Sequence, residues 1–376
     1  MRGATYRGSI EGKRDPFMRA VLTGLICALF VTTATTAAVE RSPRAQTLVV
    51  RGAVRELAAD GSRAAMLLGP RTACRLLVWN VGSGAKTPIR TDCSGSVRQR
   101  TFGVAVAGER VAWVETAGGN LLEMILKTAT TANRKARFVS FVGSGPDVEG
   151  DYVGEVVAKM QRLFFTEYTR CAEPEEGEAP GGPLACPAGR RTGDVIRTGV
   201  WLFDPAHRGS RCPGETTFNR CRLLATSNDR MRLLATDGVL FVLRLADGAI
   251  ELRTTGGKVL QKVAGGAGLA EAALSTRRFL VHQGSTLQIY DSQSGAPAGV
   301  LAVPDGSKLV DTAAGLAVLL AGRSVFVLRL ADGKVARLRV PGTGAVHAQL
   351  ESSGLYHSAT GRVTFIPLKQ LLRRFT

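Results

Sequence analysis

The chain has 376 residues, 45% of them hydrophobic, and a formal net charge of +18. That apolar content excludes a disordered chain, and the length exceeds what one simple core fills without repetition. Aromatic residues make up only 6% and are not interleaved with the basic ones, so no single-strand nucleic-acid groove and no specific nucleic acid is expected.

Arg outnumbers Lys about four to one. Its dense runs are short: Arg134-Lys135-Ala136-Arg137, Arg190-Arg191, Arg277-Arg278 and Arg373-Arg374. Scattered Arg of this kind makes an ordinary basic surface. The specific alternative is attraction to an anionic envelope polymer.

Near the N-terminus, residues 20–39 read AVLTGLICALFVTTATTAAV. Arg19 precedes an apolar core from Val21 to Val31, and a tract of small residues follows. This is the layout of a secretory signal, with Thr36 and Ala38 suited to a cut after Ala38. Residues 1–38 are therefore expected to be a signal peptide, with Met18 as an alternative start. Such a cut removes five basic and two acidic residues and leaves +15. An uncleaved segment would instead be an N-terminal membrane anchor, the only membrane contact expected.

Six cysteines lie beyond this segment: Cys74, Cys93, Cys171, Cys186, Cys212 and Cys221. An even count in an exported chain reads as disulfides, and neighbour pairing is the simplest of fifteen connectivities. That gives 74–93, 171–186 and 212–221. No spacing is C-x2-C or C-x4-C, so no zinc site is expected.

From about residue 53 the chain alternates short β-rich runs with Gly-containing turns, the pattern of an all-β repeat architecture. The clearest unit runs KLVDTAAG, LAVLLAG, SVFVLRLADG, KVARLRV over 307–341. Four meandering strands of this kind describe one propeller blade. The same order recurs from VRELAADG near residue 53 to RVTFIPL near the C-terminus. Centring each third strand gives Val78, Met124, Leu202, Leu252, Ile289, Leu328 and Phe365. The expected fold is therefore all-β, a seven-bladed β-propeller of four-stranded antiparallel blades over 53–376, with six or eight blades as alternatives. The wide gap between Met124 and Leu202 holds an insertion in blade three at 170–199. FVLRLADG occurs at 241–248 and at 326–333 but falls on a second and a third strand, so it is not the repeat. Residues 39–52 form an N-terminal segment, and Gln46–Arg51 competes with Lys369–Phe375 to close the ring. Only Leu368–Leu372 hints at a turn of helix.

The segments VWNVGSG and LQIYDSQSG resemble the strand-then-turn signature of bacterial secreted propeller repeats of the quinoprotein-like and lactonase-like superfamily. The resemblance implies the fold over about 53–375 and hardly speaks to activity. The tryptophan-aspartate (WD40-like) repeat is a poorer match, because neither Gly-His nor Trp-Asp occurs.

Catalytic signatures are missing. There is no G-x-S-x-G elbow, no phosphate loop and no H-E-x-x-H pair. No cofactor is expected. Among dispersed histidines, His347 and His357 fall on adjacent strands of blade seven and are candidates to meet. Asp147, Glu149, Asp151 and Glu155 lead into the innermost strand of blade three and are candidate channel carboxylates, as are Glu56 and Asp311. Carboxylates there would suit a hard cation or acid–base work. The insertion carries Glu173, Glu175, Glu176 and Glu178, an acidic loop on a basic protein. Two functions fit: a secreted or envelope-associated binding or scaffold module for a protein or anionic polymer, and an enzyme using the channel carboxylates.

Overall fold

The computed structural model describes residues 44–71, 73–93, 100–118, 122–144, 149–173, 184–214, 216, 218–265 and 270–375. A closing strand β1 (Gln46–Val49) comes first. Then follow β2 (Val54–Asp60), β3 (Arg63–Leu68), β4 (Arg75–Asn80) and β5 (Lys86–Ile89). Next are β6 (Arg100–Ala107), β7 (Arg110–Ala117), β8 (Leu122–Thr130) and β9 (Arg137–Ser144). β10 (Gly150–Lys159), β11 (Arg162–Arg170), β12 (Val195–Phe203) and β13 (Cys221–Ser227) come after them. The chain continues through β14 (Arg232–Thr236), β15 (Leu240–Arg244), β16 (Ile250–Thr254) and β17 (Val259–Val263). Then come β18 (Glu271–Leu274), β19 (Arg278–Gln283), β20 (Thr286–Asp291) and β21 (Pro297–Ala302). β22 (Lys308–Ala313), β23 (Leu316–Ala321), β24 (Ser324–Arg329) and β25 (Val335–Arg339) follow. The last strands are β26 (His347–Glu351), β27 (Gly354–Ala359) and β28 (Arg362–Pro367), before a short helix α1 (Leu368–Leu372).

These strands form antiparallel meanders. β2–β5, β14–β17, β18–β21 and β22–β25 are four-stranded sheets, and β26–β28 are completed by β1 on the outside of β28. β6–β13 form one eight-stranded sheet, whose halves join only through Gly150 opposite Ser144. The first strands touch in a closed ring, β2 to β6, β10, β14, β18, β22, β26 and back to β2. This is the β-propeller arrangement, with the first strands lining a central channel.

Each sheet is apolar on both faces because each face meets a neighbour. β3 reads RAAMLL and is buried from Ala64 to Leu68. Separate apolar clusters occupy the junctions. One joins Leu57, Met66 and Trp79 to Tyr356 and Phe365, and another joins Phe164 and Leu202 to Leu233 and Phe241. Trp79 meets Tyr356 edge-on at 6.5 Å.

The turns explain the segments that carry the family resemblance. Asn80 Oδ1 accepts the N–H of Gly82 at 2.9 Å, and Asp291 Oδ1 accepts the N–H of Ser294 at 2.9 Å. In both hairpins the side chain builds the turn, and a glycine (Gly84 at φ 73°, Gly295 at φ 75°) supplies the left-handed residue.

One face of the ring carries the sheet-to-sheet connections and the second-to-third-strand loops; we call it the connection face. The other, the hairpin face, carries the first-to-second and third-to-fourth-strand loops. β12 begins at Val195, so the blade-three insertion is the connection 171–194 and is shorter than 170–199. A second long loop, 204–220, joins β12 to β13 on the hairpin face. It latches onto β9, in the other half of the same sheet: Gly214 bridges Phe141, and Arg137 stacks over Phe218 at 4.2 Å. The tail after β28 docks beside β24 and β25, with Leu371 and Phe375 buried.

The closing strand is held by one side chain in particular. Leu48 is buried in the cluster of Tyr356, Val363 and Phe365, whereas Val49 beside it is exposed. Leu48→Ala is expected to destabilise the protein by about 3 kcal/mol. Val49→Ala should change stability by less than about 0.5 kcal/mol. Urea unfolding of both variants checks this, and equal effects would contradict the role of β1.

Candidate functional site

The channel wall is built from carboxylates that reach to the next sheet. Glu56 on β2 accepts the N–H of Val104 on β6 at 2.9 Å. Glu271 on β18 accepts that of Leu309 on β22 at 2.5 Å, and Asp311 on β22 that of Leu350 on β26 at 2.8 Å. Glu155 on β10 instead receives Nε of Arg232 on β14 at 2.8 Å. Amides are available because each inner strand is the edge of its four-stranded unit, and β2, β6, β10, β14 and β22 also carry a bulge. Burial raises Glu56, with Val104 and Arg55 offsetting part of the rise.

At the hairpin-face end, one lysine crosses the channel. Lys159 closes β10, and the two-residue turn after it, Met160 (φ 50°) and Gln161 (φ 70°), is left-handed at both positions. That geometry suits a tight hairpin and is strained for non-glycine residues. Asp60 holds the turn by accepting the N–H of Met160 at 3.2 Å and that of Gly108 at 2.7 Å. Lys159 Nζ then lies 2.5 Å from Glu351 and 3.4 Å from Asp60. Burial alone would lower Lys159, but Glu351, Asp311 and Asp60 together raise it. Burial and Asp311 push Glu351 up to about 7, with Lys159 opposing them. Asp311 is raised by burial as well. Three acids share one ammonium, so the cluster retains a proton readily.

The connection-face half is open. A cavity of about 540 Å³ is lined by Glu56, Phe102, Gly103, Val104, Met124, residues 153–157, Tyr168, Arg230 and Leu233. Beside it Tyr152 and Tyr168 stack at 5.5 Å with planes 8° apart. Arg170 lies 4.6 Å over Tyr152, and Arg230 lies 5.4 Å over Tyr168.

The candidate carboxylates fall in different places. Asp147 lies outside the described residues, as do Glu175, Glu176 and Glu178. Glu149 is half-buried just before β10, its Oε2 without a partner. Asp151 faces along the sheet, accepting from Thr169 at 2.5 Å and pairing with Arg197 at 3.6 Å. Of the three that are described, only Glu155 lines the cavity, where it joins Glu56. Among the described residues no group of three or more His, Cys, Asp or Glu side chains is arranged to hold a metal ion. His347 lies opposite Ser358 and His357 opposite Ala348, so their rings point to opposite faces of one sheet. Burial, with Arg374, lowers His357 to about 4, so it is neutral at neutral pH. Burial raises Glu167, with Asp151 adding and Arg197 offsetting, to about 7. Lys159, Glu351, Glu271 and the Tyr152–Tyr168 stack have no motif of their own in the sequence.

The cysteines form three pairs at disulfide distance, Cys74–Cys93, Cys171–Cys186 and Cys212–Cys221, with Cα separations of 5.5, 4.8 and 4.8 Å. The first two lie on the connection face and the third on the hairpin face. Among the described residues no helix is long and apolar enough to cross a membrane.

Solved structures share this fold. A chain from the crystal structure of a mitotic checkpoint complex matches at a TM-score of 0.53 and 11% identity, covering 93% of this chain and 99% of that one. A structure from a mechanistic study of two prolyl endopeptidases matches at a TM-score of 0.50 and 13% identity, covering 84% of this chain and 50% of that one. No protein-family model and no curated protein sequence matches the chain. At these identities the likeness shows the fold alone: the protein is a β-propeller.

The lysine cluster makes two predictions. Lys159→Met leaves buried carboxylates uncompensated and should cost about 3 kcal/mol in urea unfolding. The folded protein holds a proton on Glu351 that the unfolded chain releases, and the stability linked to that proton is complete below about 4.5 and is lost as pH rises through about 7. Relative to Glu351→Gln, the wild type should therefore lose stability between about pH 5 and about pH 8. A difference that grows with pH instead would refute the assignment.

Proposed function

We infer that this chain works outside the cytoplasm as a binding or scaffold propeller of seven blades, presenting its connection face to a partner. The observation that carries the reading is the use made of the channel carboxylates. Glu56, Glu271 and Asp311 engage backbone amides of the next sheet, and Glu155 engages Arg232. Acid–base chemistry on these groups would act on the contacts that join the sheets, which disfavours the enzyme reading.

Seven blades follow from treating the halves of the eight-stranded sheet, joined at one residue pair, as separate. Extracytoplasmic location draws on the three cysteine pairs and on the signal-like residues 20–39. VWNVGSG and LQIYDSQSG favour the bacterial quinoprotein-like and lactonase-like propellers. A structure of similar fold comes from a mitotic checkpoint complex, in keeping with a scaffold. The partner is a protein or an anionic envelope polymer. Loops on a rigid ring are suited to recognition, and the connection face carries the stapled connection 171–194.

Photocrosslinkers test the reading in cells. Placed at exposed Arg90 and Arg339 on the connection face, they should give a discrete adduct in the envelope fraction. Placed at exposed Lys86 and Arg134 on the hairpin face, they should not. Equal labelling from both faces would sink the proposal. Polymer binding would appear instead as salt-sensitive retention on cell-wall material.

A further inference from the structure

The cavity beside β10 has a composition that the scaffold does not require. Its walls mix polar groups with the apolar side chains of Phe102, Val104, Met124, Val156 and Leu233. Its volume of about 540 Å³ is in the range of small-molecule sites. Both of its carboxylates already have partners: Glu56 the amide of Val104, and Glu155 the guanidinium of Arg232.

The cations at the rim are not balanced in this way. Arg230 is exposed, lines the cavity and lies 5.4 Å over Tyr168. It has no carboxylate partner among the described residues. Arg170 lies 5.5 Å from the same ring, and its buried Nε has no hydrogen-bond partner. Burial holds Arg244 below its ordinary value, and Arg232 and Arg230 add to this, with Glu155 and Glu271 partly offsetting. Arg230 and Arg170 thus present guanidinium groups that no carboxylate among the described residues engages. Gly154 sustains the geometry, since a Cβ at that position would lie 2.9 Å from the Tyr168 ring. The glycine lets Tyr168 lie flat against β10.

We propose that this cavity binds an amphipathic organic anion, with its apolar body against Phe102, Met124 and Val156 and its acidic head at Arg230 over the Tyr168 ring. The open connection face is its route of entry, because Lys159 and its acids tie the strands together at the other end. An apolar pocket with a few convergent polar groups gives affinity through its walls and orientation through the head contact. A guanidinium that already stacks on an aromatic ring is held in position for that contact. The site does not depend on the partner reading above.

The experiment uses two fluorescent probes of opposite charge on the purified protein: 8-anilino-1-naphthalenesulfonate and thioflavin T. The anionic dye should bind saturably at one site. Arg230→Glu should weaken it at least tenfold, and Arg230→Lys should weaken it less. Val156→Phe, which narrows the cavity, should also weaken it, while Arg339→Glu at a distant exposed position should leave it unchanged. Melting curves confirm that each variant is folded, and the exposed Arg230 and Arg339 variants should melt as wild type does. Preferential binding of thioflavin T, or anionic-dye binding insensitive to both Arg230 variants, would overturn the proposal. Neither result bears on crosslinking at Arg90 and Arg339, so the two readings fail separately.

Discussion

The structure depends on a carboxylate on one inner strand accepting a backbone N–H from the inner strand of the next sheet. Apart from the single pair Gly150 and Ser144, the four-stranded units share no hydrogen-bonded ladder, and the apolar clusters between them have no direction of their own. Something directional must fix how each sheet sits against its neighbour. A charged acceptor on an amide is about twice as strong as a neutral hydrogen bond, and it is short and oriented. Glu56, Glu271 and Asp311 supply it, and the inner strand of each four-stranded unit, as an edge strand, has amides on its channel side that its own unit does not pair. Left without such an acceptor, a buried edge amide would be unsatisfied.

This device concentrates negative charge around the channel of a protein whose net charge is +18. At the hairpin-face end the concentration is greatest, with Asp60, Asp311 and Glu351 close together. Lys159 answers it from the opposite side of the ring. The turn that aims this lysine is strained at Met160 and Gln161, and the acid that accepts from Met160 also pairs with the lysine. Backbone strain and ion pairing are thus coupled through Asp60.

Much of the fold was legible in the sequence. Short apolar runs ending in Asn or Asp plus Gly fix where several hairpins turn, and the Asn80 and Asp291 side chains do so by direct hydrogen bonds. The cysteines were legible as neighbours because each pair spans one local excursion of the chain. What escaped were meetings between distant segments. Lys159 and Glu351 are 192 positions apart and share no motif. Met160 and Gln161 lack the glycine that signals such a turn. His347 and His357 were placed on adjacent strands, but the odd difference between their registers sends them to opposite faces. The start of β12 at Val195 was hidden because Arg197, Thr198 and Gly199 interrupt the apolar run of VIRTGVWLF, and residues 195–197 pair with β11 alone.

The same inter-sheet logic explains why the open half of the channel lies where it does. β6 offers Gly103 and Val104 where β2 and β22 offer Glu56 and Asp311. With no acid there, β6 cannot reach β10 in the way that β2 reaches β6. β10 also bulges between Val153 and Val156, which displaces Glu155 toward β14 and Arg232. The junction between these strands is therefore filled by side chains of limited reach, and Gly103 at φ 64° cannot be replaced without strain. A gap results beside Tyr168, bounded by an acid pair already satisfied and by arginines that are not. A cavity produced by a missing clasp costs nothing in ring closure, since the remaining junctions still fix the sheets. That is the physical reason a ligand site can sit inside this ring without weakening it.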